Sequence, residues 1–388
     1  MSEDQTPSTV TILNAIRATA TSAYQETVPL ATASNIQEVG ESVLQNPGPI
    51  LNEFLTALMN KVALQLFNDR EFVNPLIDLR KGKLEFGQTI EDIFIEMAKA
   101  KEYLTGTRTG DESYPDPFEI HKPIAKTAYY RTLYAKQYPV TVHQNDLKRA
   151  FYNEDGVSRL IASIMTSLNN GQSFDDYRMT IALLARQIEQ CKIDVEWAGD
   201  IHLLTDYYSV NNIAADGQFT TIDEALSSKD FLKFMANRIQ KYARRLTKPR
   251  TDFNPAGVTT WNPKNEQRLL LLEDVQADLD TNLLAWAFNS DKLDIVGAVD
   301  LIDCWYSIGA TATPELVTPE DISVKGELGD EAPCVALLYH PNMVKIYNKT
   351  LISTNSENAR GLYYNIFVTC EDYYACSPFE NFVAFFLD

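Results

Sequence analysis

Residues 70–145 constrain the fold most strongly, because they predict a long hairpin that its own chain does not cover. Three pieces rich in β-branched and aromatic residues predict strands at Phe72–Leu79, Thr89–Ala98 and Ala125–Val142. Between them lies a polar stretch, Thr105–Pro117, with two glycines and two prolines. An exposed hairpin this aromatic invites aggregation unless a partner covers it. The segment therefore indicates a protein that completes its packing against neighbours.

Residues 1–46 are rich in Thr, Ser, Ala and Gln, with scattered apolar residues. They are too apolar for a free tail and too weakly apolar for a core, which predicts an arm that orders against something else. After the stop at Asn46–Pro49, Asn52 can cap a helix that runs to about Phe67, with one apolar stripe at three- and four-residue spacing.

Two helices are predicted in the middle of the chain. Apolar residues from Val157 to Leu168 recur at i, i+3, i+4, i+7, i+8 and i+11, which is a full apolar helix face. Asn169–Gly171 predicts the end of this helix, and Ser173 can cap a second helix that continues to Ile188.

The remainder mixes helix and strand patterns, so the expected fold class is α+β. A helix is predicted over Asp223–Leu246 and a buried strand over Leu269–Leu272. Further strands are predicted at Val335–Tyr339, Met343–Tyr347 and within residues 362–386.

The bulk properties exclude several classes of protein. A net charge of −19 repels phosphate, so a general nucleic-acid binder is disfavoured. The same charge suits a container whose wall must not adhere to DNA, although acidic surfaces are also simply common. Five cysteines at no metal spacing, without a signal peptide, indicate reduced thiols in a cytoplasm. No apolar run reaches about 18 residues, so no membrane span is expected.

No motif in the sequence carries catalysis, a cofactor or a metal, and we expect a protein that is not an enzyme. Gly82–Thr89 approaches a phosphate-binding loop, but Gln88 occupies the position of the essential lysine, and we interpret it as a turn into a strand. Asp278–Asn282 imitates the start of a calcium loop but lacks its later ligands, and a capped helix start is the better interpretation. None of the four histidines lies within four residues of another.

A cluster of cations has helical spacing in the predicted helix that ends at Leu246. Its members are Arg238, Lys241, Arg244, Arg245, Lys248 and Arg250. Such a cluster can touch DNA, an acidic surface of a partner, or only solvent. In a chain of this net charge, ion pairing between subunits is the favoured hypothesis.

Several stretches of the chain carry a resemblance in their order and spacing. They are Phe72–Leu76, Lys81–Lys83, Gly87–Ala98, Tyr138–Phe151, Leu160–Gly171, Leu284–Asp291 and Gly361–Phe386. Together they resemble the major capsid proteins with the Hong Kong-97-type fold, most closely the head proteins of small podophages of the picovirus type. No single stretch is a chemical signature, and little specific likeness lies in residues 200–330.

The resemblance implies a division of the chain into five parts. It implies an N-arm with a first helix (1–69), an extended β-hairpin loop with flanking peripheral strands (70–145) and the spine helices of a peripheral domain (146–191). Residues 192–350 would form the axial domain, and residues 351–388 the return strands of the peripheral domain.

The implied function is that of a structural subunit that self-assembles as pentamers and hexamers into an icosahedral or prolate phage head. The implied partners are further copies of itself, a separate scaffolding protein and a portal. The head would enclose double-stranded DNA without reading its sequence, and it would assemble in the host cytoplasm. No covalent cross-link through Lys99 or Lys101 is predicted. The residues expected at contacts between subunits are Tyr129, Tyr130, Arg131, Tyr134, Lys136, Arg238, Arg244 and Arg245.

Two alternatives remain open from the sequence. The first is the subunit of an encapsulin-like nanocompartment, which shares the fold. The second is a soluble hydrolase that uses scattered carboxylates and therefore requires a cleft with an acid pair.

Overall fold

The computed structural model describes residues 9–44, 50, 53–54, 57, 71–84, 89–100, 118, 120–131, 133–151, 156–192, 197–213, 219, 221–283, 298–309, 317, 322–325, 334–358 and 360–387. The chain divides into two compact units. Unit 1 contains residues 1–74, 135–178 and 348–372, and unit 2 contains residues 75–134, 179–347 and 373–388.

The helices in the described residues range from 6 to 37 residues in length. They are α1 (Thr9–Thr19), α2 (Ser22–Thr27), α3 (Ile36–Leu44), α4 (Gln144–Ala150), α5 (Gly156–Lys192), α6 (Leu203–Asn211), α7 (Ile222–Ser227), α8 (Lys229–Leu246) and α9 (Glu273–Leu283). Short 3-10 turns occur at Ile77–Leu79, Lys264–Glu266 and Pro341–Met343. None of the helices in the described ranges combines the length and apolarity that a bilayer crossing requires.

The strands are β1 (Arg80–Lys83), β2 (Ile90–Ile95), β3 (Ala125–Tyr130), β4 (Leu133–His143), β5 (Asp200–His202), β6 (Arg268–Leu272), β7 (Ala298–Ile302), β8 (Trp305–Ile308), β9 (Ile322–Lys325), β10 (Cys334–Tyr339), β11 (Val344–Asn358), β12 (Tyr363–Cys376) and β13 (Val383–Phe386). One sheet has the order β1-β11-β12-β4 and another the order β5-β13-β10-β6-β7. The pairs β2-β3 and β8-β9 form two-stranded ribbons.

The N-terminal segment has a core within its own chain, so the prediction that residues 1–46 are too weakly apolar for one is wrong. Apolar residues of α1 to α3 pack with Phe54, with α4 and with Tyr364. Polar contacts also tie the short helices together, since Asn14 Nδ2 donates to the Ala31 carbonyl at 2.9 Å and Arg17 Nε to the Val28 carbonyl at 2.8 Å. Each helix alone is short, and the core forms only because several of them share it.

A single 37-residue helix, α5, replaces the two helices predicted at 157–168 and 173–188. The predicted stop at Asn169–Gly171 is wrong, because these residues are held in place by tertiary contacts. Asn170 Oδ1 accepts the backbone N–H of Phe72 at 2.8 Å, and a Cβ added at Gly171 would lie 3.5 Å from the Tyr138 ring. Phe72 also packs edge-on against Phe174 and Tyr177, beyond the predicted stop.

The core of unit 2 lies where α8 packs with the five-stranded sheet. Central strands β10 and β13 are buried along their whole length, and they pair antiparallel with Leu338 opposite Val383. Strand β10 also pairs with β6, the predicted Leu269–Leu272 strand. Residues 351–388 were predicted to return together to the peripheral domain. Strand β13 lies instead in the five-stranded sheet of unit 2. Its four consecutive apolar residues favour a central position, because both faces of the strand are covered.

Other predicted boundaries differ from the structure in smaller ways. The predicted helix Asp223–Leu246 is divided into α7 and α8 at Ser228, whose backbone is extended. Asp278–Asn282 lies in the C-terminal half of α9, so its interpretation as a capped helix start is wrong. Most of the helix predicted to begin at Asn52, the Thr105–Pro117 stretch and Leu284–Asp291 lie outside the described residues.

Candidate contact surface between subunits

The ribbon of β2 and β3 presents two chemically different faces. The strands pair antiparallel from Ile90 opposite Tyr130 to Ile95 opposite Ala125. Exposure alternates strictly along both strands, as expected when one face of a ribbon is covered and the other is open. The open side, with the residues at its base, is called here the outward hairpin face. It consists of Glu91, Ile93, Ile95, Met97, Ile124, Thr127 and Tyr129.

Large apolar side chains dominate the outward hairpin face. Ile93, Ile95 and Tyr129 are 56%, 61% and 66% exposed. Met97 and Ile124 extend this surface past the ends of the two strands and are also exposed. Tyr129 Oη donates to Glu91 Oε1 at 3.1 Å, and this hydrogen bond raises the pKa of the Tyr129 hydroxyl. Exposed apolar clusters are a common feature of interaction surfaces on stable proteins.

The inward face of the ribbon is anchored to unit 2 by stacking and by hydrogen bonds. The Phe94 ring stacks on Phe379 with a centroid distance of 5.6 Å. Lys126 Nζ donates to the Ala256 carbonyl at 2.8 Å. These contacts fix which face of the hairpin points away from the chain.

Asp92 is the main polar anchor of the inward face. Its Oδ2 accepts from Ser377 Oγ at 2.6 Å and from Tyr130 Oη at 3.2 Å, and Lys345 Nζ lies 3.7 Å away. Burial is the largest cause that raises the pKa of Tyr130, and Asp92 adds to it. The hydroxyl therefore stays protonated and continues to donate to the carboxylate.

Two of the predicted contact residues lie inside the chain and offer no surface to a neighbour. Tyr134 is 1% exposed and packs edge-on against Tyr374 at a centroid distance of 5.3 Å. Lys136 is buried, with its Nζ 2.8 Å from Asp175 Oδ2. They alternate with exposed positions on β4, where the apolar stem of a lysine can be buried if its ammonium is paired. The prediction is corrected for these two residues.

The other predicted contact residues differ in how exposed they are. Tyr129, Arg131 and Arg244 are exposed, whereas Tyr130 is half-buried at Asp92. Arg238 is paired with Asp206 at 2.9 Å, and the Arg245 guanidinium lies 4.9 Å from the centre of the Tyr242 ring. Their contact with a second copy stays a prediction. The sequence interpretation missed Ile93 and Ile95, because apolar residues stand on both faces of β2 and their pattern alone does not show which face is open.

A cleft of about 400 Å³ in unit 2 tests the hydrolase alternative. As far as the structure describes the chain, the lining of this cleft includes Arg186, Cys191, Cys376 and Tyr130 and no aspartate or glutamate. Burial strongly raises the pKa of the Cys376 thiol, which opposes a nucleophilic thiolate there. The described lining therefore offers no acid pair of the kind that the hydrolase hypothesis requires.

Among the residues that the structure describes, no group of three histidine, cysteine or acidic residues is arranged to hold a metal ion. His340 has a structural role instead. Its Nδ1 accepts the Asn342 N–H at 3.1 Å, which leaves Nε2 to donate to Glu266 Oε2 at 2.9 Å.

Comparison with known proteins identifies the family. A family model described as "Phi29-like phage major capsid protein" matches residues 13–386. The chain belongs to this family. The capsid protein is 29% identical to the major capsid protein of Bacillus phage PZA over 96% of its own length and 72% of that protein. It is 24% identical to the major capsid protein of Streptococcus phage Cp-1, over 96% of its own length and 93% of that protein.

Solved structures show the same fold. A chain of the capsid of Staphylococcus phage Andhra superposes with a TM-score of 0.59 at 14% identity, over 84% of the capsid protein and 87% of that chain. A chain from the structure of the head fiber and inner core protein gp22 of bacteriophage P68 gives a TM-score of 0.53 at 13% identity, over 84% and 87%. The predicted α+β capsid fold is confirmed, and so is the prediction of a major capsid protein of small tailed phages that forms the head shell. These matches support neither the nanocompartment nor the hydrolase.

Proposed function

We propose that the capsid protein forms pentamers and hexamers in which the outward hairpin face of each copy lies against a neighbouring copy. The observation that carries this proposal is the exposed cluster of Ile93, Ile95 and Tyr129 on a hairpin whose other face is anchored. Each exposed aliphatic side chain of this size gains about 1.5–3 kcal/mol when a partner buries it fully.

The same proposal includes the roles of the five parts of the chain. Residues 70–145 act as the extended loop, residues 146–191 as the peripheral spine and residues 192–350 as the axial domain. The core found for residues 9–44 supports an N-arm that is folded rather than extended over this length. Permanent interfaces of shell proteins typically bury about 2,000–5,000 Å², so the hairpin would be one contact among several.

We also propose the partners and the place of assembly. A separate scaffolding protein guides closure of the shell in the host cytoplasm, and a portal occupies one vertex. The net charge of −19 supports a wall that encloses double-stranded DNA without reading its sequence. The role is structural rather than enzymatic, which agrees with the chemistry of the cleft that contains Cys376.

The hairpin contact is tested by the double variant Ile93→Asp with Ile95→Asp, introduced into the phage genome. Both side chains are exposed, so the purified chain is expected to keep its fold and its unfolding midpoint. Head formation is expected to be lost, because two carboxylates would have to be desolvated in the contact. Particle counts by electron microscopy and circular dichroism of the purified chain measure the two effects.

Two controls separate this contact from general effects of surface charge. Ile93→Val keeps an aliphatic side chain at the same place and is expected to form heads. Val210→Asp introduces a carboxylate at a similarly exposed residue of α6, which is 60% exposed and outside the hairpin. Normal heads from the Ile93→Asp, Ile95→Asp variant would show that the outward hairpin face is not a contact.

The scaffolding proposal is tested by expressing the chain alone. Irregular or open assemblies are expected, since nothing in one copy selects the shell size. Uniform closed shells of the size of the phage head would rule out the need for a separate scaffold.

A further inference from the structure

A stripe of cations runs along the C-terminal part of α8 and just past its end. Lys241 and Arg244 lie on α8 and Lys248 lies two residues beyond it; all three are exposed and follow three- and four-residue spacing. From Phe231 to Thr251 the chain contains seven lysines and arginines and no acidic residue. This is a local positive surface, called here the basic stripe, in a chain of net charge −19.

The other four cations between Phe231 and Thr251 are already engaged, whereas those of the basic stripe have no ion pair with the part of the chain that the structure describes. Arg238 pairs with Asp206 and Lys233 with Asp230. Arg245 lies over Tyr242, and Arg250 lies near both Asp252 and the Phe253 ring. The opposite side of the helix is occupied by the core, with Met235, Ile239 and Leu246 buried.

Acidic residues are exposed on the helices that pack with α8. Helices α7 and α9 contact α8 and each other. Asp223 on α7 and Glu273 and Asp274 on α9 are exposed, and they are called here the acidic patch. Each copy therefore carries a positive surface and exposed acidic residues on the packed helices α7, α8 and α9 of unit 2.

We propose that the basic stripe of one copy binds the acidic patch of the next copy, head to tail, around the centre of a pentamer or hexamer. A two-fold axis that passed through the basic stripe would bring it against its own copy, which would be repulsive. A head-to-tail contact pairs opposite charges at each interface, and such heterologous contacts close into rings. This inference rests on the proposed association into pentamers and hexamers and names the partner of the basic stripe. Double-stranded DNA is the competing ligand of such a stripe.

Charge reversal in both surfaces tests the pairing. The stripe-reversed variant carries Lys241→Glu, Arg244→Glu and Lys248→Glu, and the patch-reversed variant carries Asp223→Lys, Glu273→Lys and Asp274→Lys. Each alone is expected to lose head formation, because both partners of the contact then have the same sign. A chain that combines all six changes is expected to regain heads, because the charges are again opposite. Circular dichroism of each purified chain checks that it is folded.

Several outcomes would overturn the proposal. One is normal head formation by the stripe-reversed variant. Another is a chain with all six charge reversals that is folded but does not regain heads. A stripe-reversed variant that makes closed but empty heads, together with weaker mobility shifts of a double-stranded DNA fragment, would assign the stripe to DNA. An error in the proposed hairpin contact can be distinguished from an error in this pairing. The first would show as normal heads from the Ile93→Asp, Ile95→Asp variant, and it would not change the recovery of heads by the chain that combines all six charge reversals.

Discussion

At the scale of single residues, the buried pair of Lys136 and Asp175 in unit 1 shows how much depends on one polar contact. Asp175 receives the Lys136 ammonium at 2.8 Å and the Tyr138 hydroxyl at 3.0 Å, and Arg178 Nη1 lies 3.7 Å away. The Asp175 carboxylate thus has three partners, whereas the Lys136 ammonium has this carboxylate as its principal counter-charge. Removing the two members of the pair should therefore have unequal effects.

We expect Asp175→Asn to lower the free energy of unfolding by about 3 kcal/mol, since it leaves a buried ammonium without its counter-charge. Lys136→Met keeps the length of the side chain and removes the buried charge, and it should change stability by about 1 kcal/mol or less. Denaturant unfolding of the two variants measures the difference. Equal losses in both would contradict this account of the pair.

The pKa of Lys136 predicts a dependence of stability on pH. Burial lowers this pKa to about 8 in the folded chain, and Asp175 only partly opposes the shift. Between about pH 8 and the ordinary lysine value of 10.5 the unfolded chain binds the proton and the folded chain does not. Stability from this group therefore rises with pH across that window and is flat below it. Unfolding titrations of the wild type should show the rise, and Lys136→Met should remove it.

At the scale of elements, Asp92 sets the position of the hairpin. Asp92→Ala leaves the Ser377 and Tyr130 hydroxyls without their shared acceptor, which should lower the free energy of unfolding by about 1–3 kcal/mol. It should also speed amide hydrogen exchange in β2 and β3. Glu91→Ala, one residue away on the outward face, is the matched control, because within the described part of the chain the Glu91 carboxylate accepts a hydrogen bond only from the exposed Tyr129 hydroxyl. Identical exchange in the two variants would mean that Asp92 does not anchor the hairpin.

Sequence periodicity predicted elements whose pattern is carried by their own residues. The apolar runs at Leu269–Leu272 and Val335–Tyr339 are strands β6 and β10, as predicted. Helix α9 was missed because its first residues, Glu273 and Asp274, look like the polar start of a turn. Acids are equally typical of the first turn of a helix, where they face the positive end of its dipole.

What the sequence could not predict depends on partners far along the chain. Gly171 in a helix is unfavourable by about 1 kcal/mol relative to alanine. The contacts of Phe72 with Asn170 and Phe174, which lie far from it in sequence, accompany the continuation of the helix. Likewise, the pairing of Lys136 joins residues on β4 and α5, and no local pattern places them together. The outward hairpin face was predicted as a segment, but its residues were identified only when the register of β2 and β3 was known.

At the scale of the whole molecule, the chain passes between the two units five times. The passages follow residues 74, 134, 178, 347 and 372. Four of them fall inside continuous elements, namely β4, α5, β11 and β12. Chains of this size commonly unfold in several steps. Here, loss of one unit would break helices and strands that continue into the other, so we expect one cooperative transition.

The passage at Arg178 is the place to test this coupling, because it lies inside α5. Arg178→Pro removes an internal helix hydrogen bond and clashes with the preceding turn, an effect of about 3 kcal/mol or more. We expect the wild type and Arg178→Ala to show one calorimetric transition with equal calorimetric and van't Hoff enthalpies. Arg178→Ala removes side-chain contacts, among them those with Asp175 and the Phe174 ring, and keeps the helix backbone. Arg178→Pro should divide the heat absorption into two transitions. Two transitions already present in the wild type would show that each unit is stable alone and that the continuity of α5 does not couple them.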